Sequence, residues 1–275
     1  MLLFSFFLPA TAQNAVGMLA ILGIGILHGA NDLKIIQHQR KSVSSKSVSY
    51  FILYLGTVLI GAILFYWLPQ AALPMFILVS AFHFGEQHWE IRLQQLRLRY
   101  FFYLCYGGFV FSLLFYLQAT PTSNIIEQIV GIPIAAQVWN CTSLILGLLL
   151  LIYFLLFRPI RLFLLGELFL FGLLALLFWN GTLVLAFATY FVFWHSLPSL
   201  QSQMQFLYGS HNAKAWWNYF KAGFLYWILA LCFLGIAFAW IDFTAPYFLS
   251  LFFIFLAAIT FPHALVMELM FRKSP

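Results

Sequence analysis

Residues 144–157 read LILGLLLLIYFLLF. The stretch carries no charge and shows no alternation of polar with apolar positions. A transmembrane β-strand would turn every second residue towards a polar lumen, so the stretch is read as helix. Extended back to residue 137, it reaches the roughly 20 residues that carry a helix across a bilayer. Comparable apolar runs recur along the whole chain. Of its 275 residues 64% are hydrophobic, 20% are aromatic and only 7% are charged, whereas soluble domains average about 25% charged. So few charges cannot cover a surface that faces water. The expected fold is all-α: a polytopic integral membrane helix bundle, one transmembrane domain over 1–275, in the inner (plasma) membrane.

About nine spans are expected, at 12–33, 48–67, 71–90, 99–118, 137–157, 162–179, 181–204, 217–241 and 246–270. The basic residues test the count. Lys34, Arg40, Lys41 and Lys46 follow span one, Arg92, Arg97 and Arg99 follow span three, and Arg158 and Arg161 follow span five. Lys214 and Lys221 lie in or just beyond the loop after span seven, and Arg272 and Lys273 follow span nine. The loops after spans two, four, six and eight hold no Lys or Arg. All basic residues therefore fall on one side, which the positive-inside rule assigns to the cytoplasm. The N-terminus is expected outside and the C-terminus inside. Residues 34–47 and 119–136 form the longest loops, the second punctuated by Pro121, Gly131 and Pro133.

The net charge of +6 is spread over these loop clusters, as topology signals are, and does not indicate nucleic acid. Cys105, Cys141 and Cys232 stand singly, without a CxxC pair, so neither a disulfide framework nor a zinc site is expected. The first 15 residues have an apolar core but no basic flank, and are read as an exterior lead-in rather than a cleaved signal.

Ionisable groups concentrate in AFHFGEQHWE, residues 81–90, at the end of span three. Of seven histidines, His38 and His211 fall in interior loops and His88 lies at an interior span end. His28, His83, His195 and His263 lie within spans one, three, seven and nine, all running from outside to inside. Each sits roughly 12 to 17 residues from its outer end, a spread of about 7 to 8 Å at helical rise. Four imidazoles at one level on four helices suit a metal site in a bundle core, and imidazole suits iron, copper and zinc. The plainer alternative is four unrelated histidines, each bonded to a neighbouring helix. Asp32, four residues after His28, and Glu86, three after His83, share helical faces with those histidines. Each is expected to orient its histidine as a carboxylate behind a metal ligand does, although either could ligate directly or reach the interface. Glu167 is expected to pair locally with basic loop residues, and Gly29 and Gly85 to permit close helix approach.

HGANDL (28–33), SAFHFGEQHW (80–89), FWHSLPSLQ (193–201) and FPHALV (261–266), in that order and on those spans, resemble the Brp/Blh family of integral-membrane β-carotene 15,15'-dioxygenases. The resemblance implies a non-haem Fe(II) enzyme that splits the central double bond of β-carotene with O2 into two retinals, with possible hand-off to a rhodopsin. The family's histidine motifs map onto His28, His83 and His195. Its third motif usually carries a further histidine four residues on, where this chain has Ser199. The metal ligands are then His28, His83 and His195 completed by water or by His263, or the site has drifted in substrate or activity. A polyene is about as long as the hydrocarbon core is thick, so it can enter laterally from the bilayer.

Two other classes remain compatible with the histidines. A b-type haem electron-transfer protein would use two of them as axial ligands and would show a Soret band. A His-lined transporter would show broken helices in paired repeats. The topology has its own test. A cysteine placed at Ser44 should resist impermeant thiol reagents added outside intact cells; efficient labelling would reverse the orientation.

Overall fold

The computed structural model describes residues 1–40, 47–93, 98–239 and 247–273. All regular structure among them is helical. The elements are α1 (Leu2–Phe7), α2 (Ala10–Ala20), α3 (Asp32–Arg40), α4 (Ser47–Trp67), α5 (Pro69–Leu93), α6 (Arg99–Leu117) and α7 (Ala119–Val130). They continue with α8 (Ala136–Leu156), α9 (Arg158–Arg161), α10 (Leu164–Asn180), α11 (Leu183–Tyr190), α12 (Leu197–Tyr208), α13 (Ala213–Ala239) and α14 (Phe248–Lys273). Wider π turns at Ile21–Gly25 and Phe191–Ser196 extend α2 and join α11 to α12.

Six helical segments among the described residues are long and apolar enough to cross a membrane: Ser49–Trp67, Arg99–Leu117, Ala136–Leu156, Leu183–Tyr208, Ala213–Phe238 and Phe248–Arg272. Ala10–Gly25 and Leu164–Asn180 are apolar but shorter. Ser49–Trp67 and Ala213–Phe238 are each only 11% buried, and surfaces so apolar suit lipid rather than water. Lys41, Lys46, Arg97 and Ser44, on which the topology reading partly rests, lie outside the described residues.

Two expected spans are not single α-helices. The 12–33 span widens into the π turn at Ile21–Gly25 and breaks into a turn at 28–31, before α3 begins at Asp32. The 181–204 span contains the second π turn, just ahead of Pro198. Proline has no N–H to give the carbonyl four residues back, here that of Trp194, and its ring crowds that carbonyl; a widened turn upstream relieves both. Two expected loops also contain helix. Residues 34–40 belong to α3, and most of 119–136 is α7, which buries Thr122, Ile125, Ile126 and Val130. Pro121 sits in the first turn of α7, where its missing N–H has no helical partner to lose.

The chain divides into two compact units, Met1–Ile21 with Ile77–His195, and Leu22–Phe76 with Ser196–Pro275. In the first, α6 packs on α8 and α2 on α11. Helices α5 and α6 meet backbone to backbone. A Cβ on Gly85 would lie 2.0 Å from the Tyr103 carbonyl oxygen, and one on Gly107 would lie 1.9 Å from that of Ala81. Each approach needs a glycine on one side, where a side chain would strike the facing backbone, and together they fix the height of His83, two residues from both Ala81 and Gly85. Two glutamines satisfy the ends of α1 and α10. Gln13 Nε2 donates to the carbonyls of Leu8 (2.9 Å) and Ser5 (3.2 Å) while its Oε1 accepts from the Thr182 amide (2.8 Å). Gln118 Nε2 donates to the carbonyls of Phe178 (2.5 Å) and Gly181 (3.0 Å).

In the second unit, α14 packs on α4 and α3, with Ile35, Val266, Met267, Met270 and Phe271 forming the core. Leu200, Met204 and Tyr219 form a smaller core between α12 and α13.

Gly107→Ala should lower thermal stability in detergent by about 1–3 kcal/mol, the usual range for overpacking. Gly172→Ala in α10, where a Cβ meets nothing within 4 Å, should be neutral or slightly stabilising. Equal melting temperatures for the two variants would contradict the close α5–α6 contact.

Candidate functional site

Each unit brings together two of the four histidines expected within spans. In the first, His83 of α5 and His195 of the second π turn are each 1% exposed, with ring centroids 4.6 Å apart and rings nearly perpendicular. Phe84 stacks on His195 at 4.3 Å and on Phe111 at 5.2 Å, and Phe191 lies nearly parallel to the His195 ring at 5.6 Å. These rings hold the imidazole plane and leave its edge as the polar part. Glu86, one turn after His83, is also buried.

In the second unit, His28 of the 28–31 turn and His263 of α14 lie 4.6 Å apart with rings at 90°. His28 Nδ1 bonds to the Gly25 carbonyl. A carbonyl only accepts, so Nδ1 carries the proton and Nε2 the lone pair. His263 Nδ1 faces both oxygens of Asp32, at 2.9 and 3.0 Å. A carboxylate accepts too, and the same tautomer follows. Tyr54 OH donates to Asp32 Oδ2 at 2.8 Å. Both histidines thus have Nε2 as the basic nitrogen, the form in which imidazole binds metals. A carboxylate behind the far nitrogen is also how ligating histidines are commonly oriented.

The partner of Asp32 differs from the expected one. Residues 28–31 are a turn, so the four-residue spacing no longer puts His28 and Asp32 on one helical face, and the carboxylate reaches α14 instead. Gly29 faces the same ring: a Cβ there would lie 3.5 Å from His263 Nδ1, an ordinary contact. Ser199 is fully buried and accepts from Gln203 Nε2 at 3.0 Å.

The remaining histidines stand apart from these pairs. His88 lies 3.2 Å from Glu167 Oε1, and Glu167 also accepts from Tyr106 OH at 2.6 Å and has Arg92 at 3.8 Å. Glu167 thus meets a basic residue, but one in the last turn of α5 rather than in a loop, together with a histidine of the same helix and a tyrosine of α6. His38 is exposed on α3 and packs edge-on against Phe206; His211 is exposed. Sequence reasoning did not single out Tyr54, Gln203 or Tyr219. Gln203 had a signal, being a polar amide within an apolar span. Tyr54 had none, as one of 13 tyrosines.

Helical structure alone among the described residues, six of the helices there fit to cross a membrane, and buried histidines gathered in pairs define a polytopic membrane protein with imidazoles in its interior. The beta-carotene 15,15'-dioxygenase family model matches residues 19–271, and the chain belongs to that family. Neither a curated protein nor a solved structure matches it.

Asp32→Ala removes the partner of two buried groups at once and should destabilise the protein by on the order of 3 kcal/mol. Tyr54→Phe should lose only about 1 kcal/mol. Chemical or thermal unfolding in detergent separates the two, and equal losses would show that the His263–Asp32 contact contributes nothing.

Proposed function

We propose that this protein cleaves β-carotene at its central double bond with O2 to give two retinals, using Fe(II) held by His28, His83, His195 and His263. The observation that supports the reading best is the tautomer of His28 and His263, set by the Gly25 carbonyl and by Asp32 so that Nε2 is basic in both. An all-imidazole donor set fits iron, and the neutral ring is its ligating form. Bound iron supplies the O2 chemistry that amino-acid side chains lack.

The chain's own residues bind, orient and exclude water. Asp32 fixes the plane of His263, the Gly25 carbonyl fixes that of His28, and Phe84 and Phe191 fix that of His195. Both atoms of O2 end as the two aldehyde oxygens, so the balance requires no proton donor or acceptor. Asp32 and Glu86 accordingly act as orienting groups, not as acids or bases. The apolar surfaces of α4 and α13 let a carotene arrive from the bilayer. We further read the chain as crossing the inner membrane nine times, N-terminus outside, with retinal available to a rhodopsin in the same bilayer.

Ser199 decides the fourth ligand. Serine is a poor iron ligand, and its Oγ is engaged by Gln203, so the fourth position goes to His263. The test is co-expression in a β-carotene-producing bacterium, with retinal measured in the extract and iron in the purified protein. The natural chain should form retinal. Alanine at His28, His83, His195 or His263 should remove most of the iron and the product, while Asp32→Asn should weaken binding on the order of 10–100-fold. Ser199→His should bring no gain. Retinal and iron that survive His263→Ala but rise with Ser199→His would move the fourth ligand to position 199. Absence of retinal from the natural chain, despite expression and available carotene, would exclude central cleavage.

A further inference from the structure

We infer that Gln203 and Tyr219 are positioning residues that set His28 for metal binding by gripping its backbone carbonyl; the role rests on His28 being a ligand. His28 lies in the turn at 28–31, where the chain has left the helix that would otherwise use its carbonyl. Two side chains converge on that oxygen: Gln203 Nε2 from α12 at 2.9 Å, and Tyr219 OH from α13 at 2.9 Å. Tyr219 OH also lies 2.7 Å from Gln203 Oε1, so its one proton is shared between the amide oxygen and the His28 carbonyl. The second N–H of the Gln203 amide goes to Ser199 Oγ at 3.0 Å. A flipped amide would set its oxygen against the His28 carbonyl, which only accepts, so the contact with that carbonyl selects the orientation with Nε2 towards it.

Ser199, Gln203 and Tyr219 are all fully buried, and the Tyr219 ring is fixed among Leu200 and Met204. Asn31, at the far end of the turn, donates from Nδ2 to the Tyr219 carbonyl at 3.0 Å. That approach needs Gly223 one turn on, since a Cβ there would lie 2.8 Å from Asn31 Nδ2. His28 is therefore held by its N–H to Ile24 at 3.2 Å, by its ring to Gly25, and by its carbonyl to Gln203 and Tyr219. The first two tie it only to the preceding π turn. The third anchors it to α12 and α13, and so sets the direction of Nε2.

A purely structural brace would lower stability and leave metal binding alone, so the test reads both. Purified wild type, His28→Ala, Tyr219→Phe, Gln203→Met, Ser199→Ala and the Tyr219→Phe/Gln203→Met double variant are titrated with Fe(II), and with Co(II) as an optical probe. Their metal-free melting is followed in parallel. Tyr219→Phe and Gln203→Met should each weaken metal binding about 10–100-fold, as loss of an orienting partner does, and should alter the visible Co(II) spectrum. The double variant should be little worse than Gln203→Met alone, because both groups share one acceptor. Ser199→Ala, which frees the rear of the amide, should give a smaller loss of the same kind. Should Gln203→Met fail to fold, the near-isosteric Tyr219→Phe and Ser199→Ala carry the comparison. Lowered melting with wild-type affinity and spectrum overturns the positioning role. No metal binding by wild type, or undiminished binding by His28→Ala, overturns instead the ligand role on which it rests.

Discussion

Inside hydrocarbon a polar group with no partner costs several kcal/mol, so every bend of this chain has to bring its own donors and acceptors. The structure meets that demand with side-chain amides, hydroxyls and indoles at the places where helix hydrogen bonding lapses. Gln13 covers the end of α1 and the start of α11, and Gln118 covers the turn between α10 and α11. Trp227 Nε1 takes the Leu22 carbonyl inside the first π turn at 2.8 Å. Gln203 and Tyr219 do the same for His28. Apolar composition decides that helices form; these few polar side chains decide where the helices are permitted to break.

The breaks and the chemistry coincide. His28 follows the first π turn and His195 lies inside the second, in keeping with the frequent occurrence of such turns at functional sites. Their partners, His263 and His83, sit on regular helices that also carry prolines, Pro262 and Pro74. Each pair therefore joins one imidazole on an α-helix to one on backbone that departs from the α-helix. The departure at His28 also redirects Asp32. Once the helix restarts at residue 32, the carboxylate stands in the first turn of α3, where the helix dipole favours a negative charge, and faces α14.

Much of the helical architecture was legible because a bilayer imposes a length and apolar runs without alternation exclude membrane strands; the runs ending near Trp67, Leu117 and Leu156 announce themselves. The amphipathic α7 was hidden by Pro121, Gly131 and Pro133, which read as loop punctuation although they stand at or beyond the ends of a helix. Counting along spans put the four histidines near one level, and within each unit two of the rings do meet. Which histidine meets which was not legible, because depth carries no information on helix order or rotation. The Asp32–His263 pairing was invisible for a local reason: spacing rules for side chains presume an unbroken helix, and nothing in HGAND states that the helix stops there. Ser199 read as a missing histidine, whereas its place in the Gln203 network depends on residues on two other segments.

The Asp32–His263 contact closes over 231 residues of chain. At a synthesis rate of about 5–20 residues per second, the carboxylate waits roughly 10–50 s for α14 to leave the ribosome. Tyr54, only 22 residues downstream, emerges within a few seconds at that rate and donates to the same carboxylate. Of the two partners of Asp32, the tyrosine is therefore the first that synthesis makes available and the histidine the last.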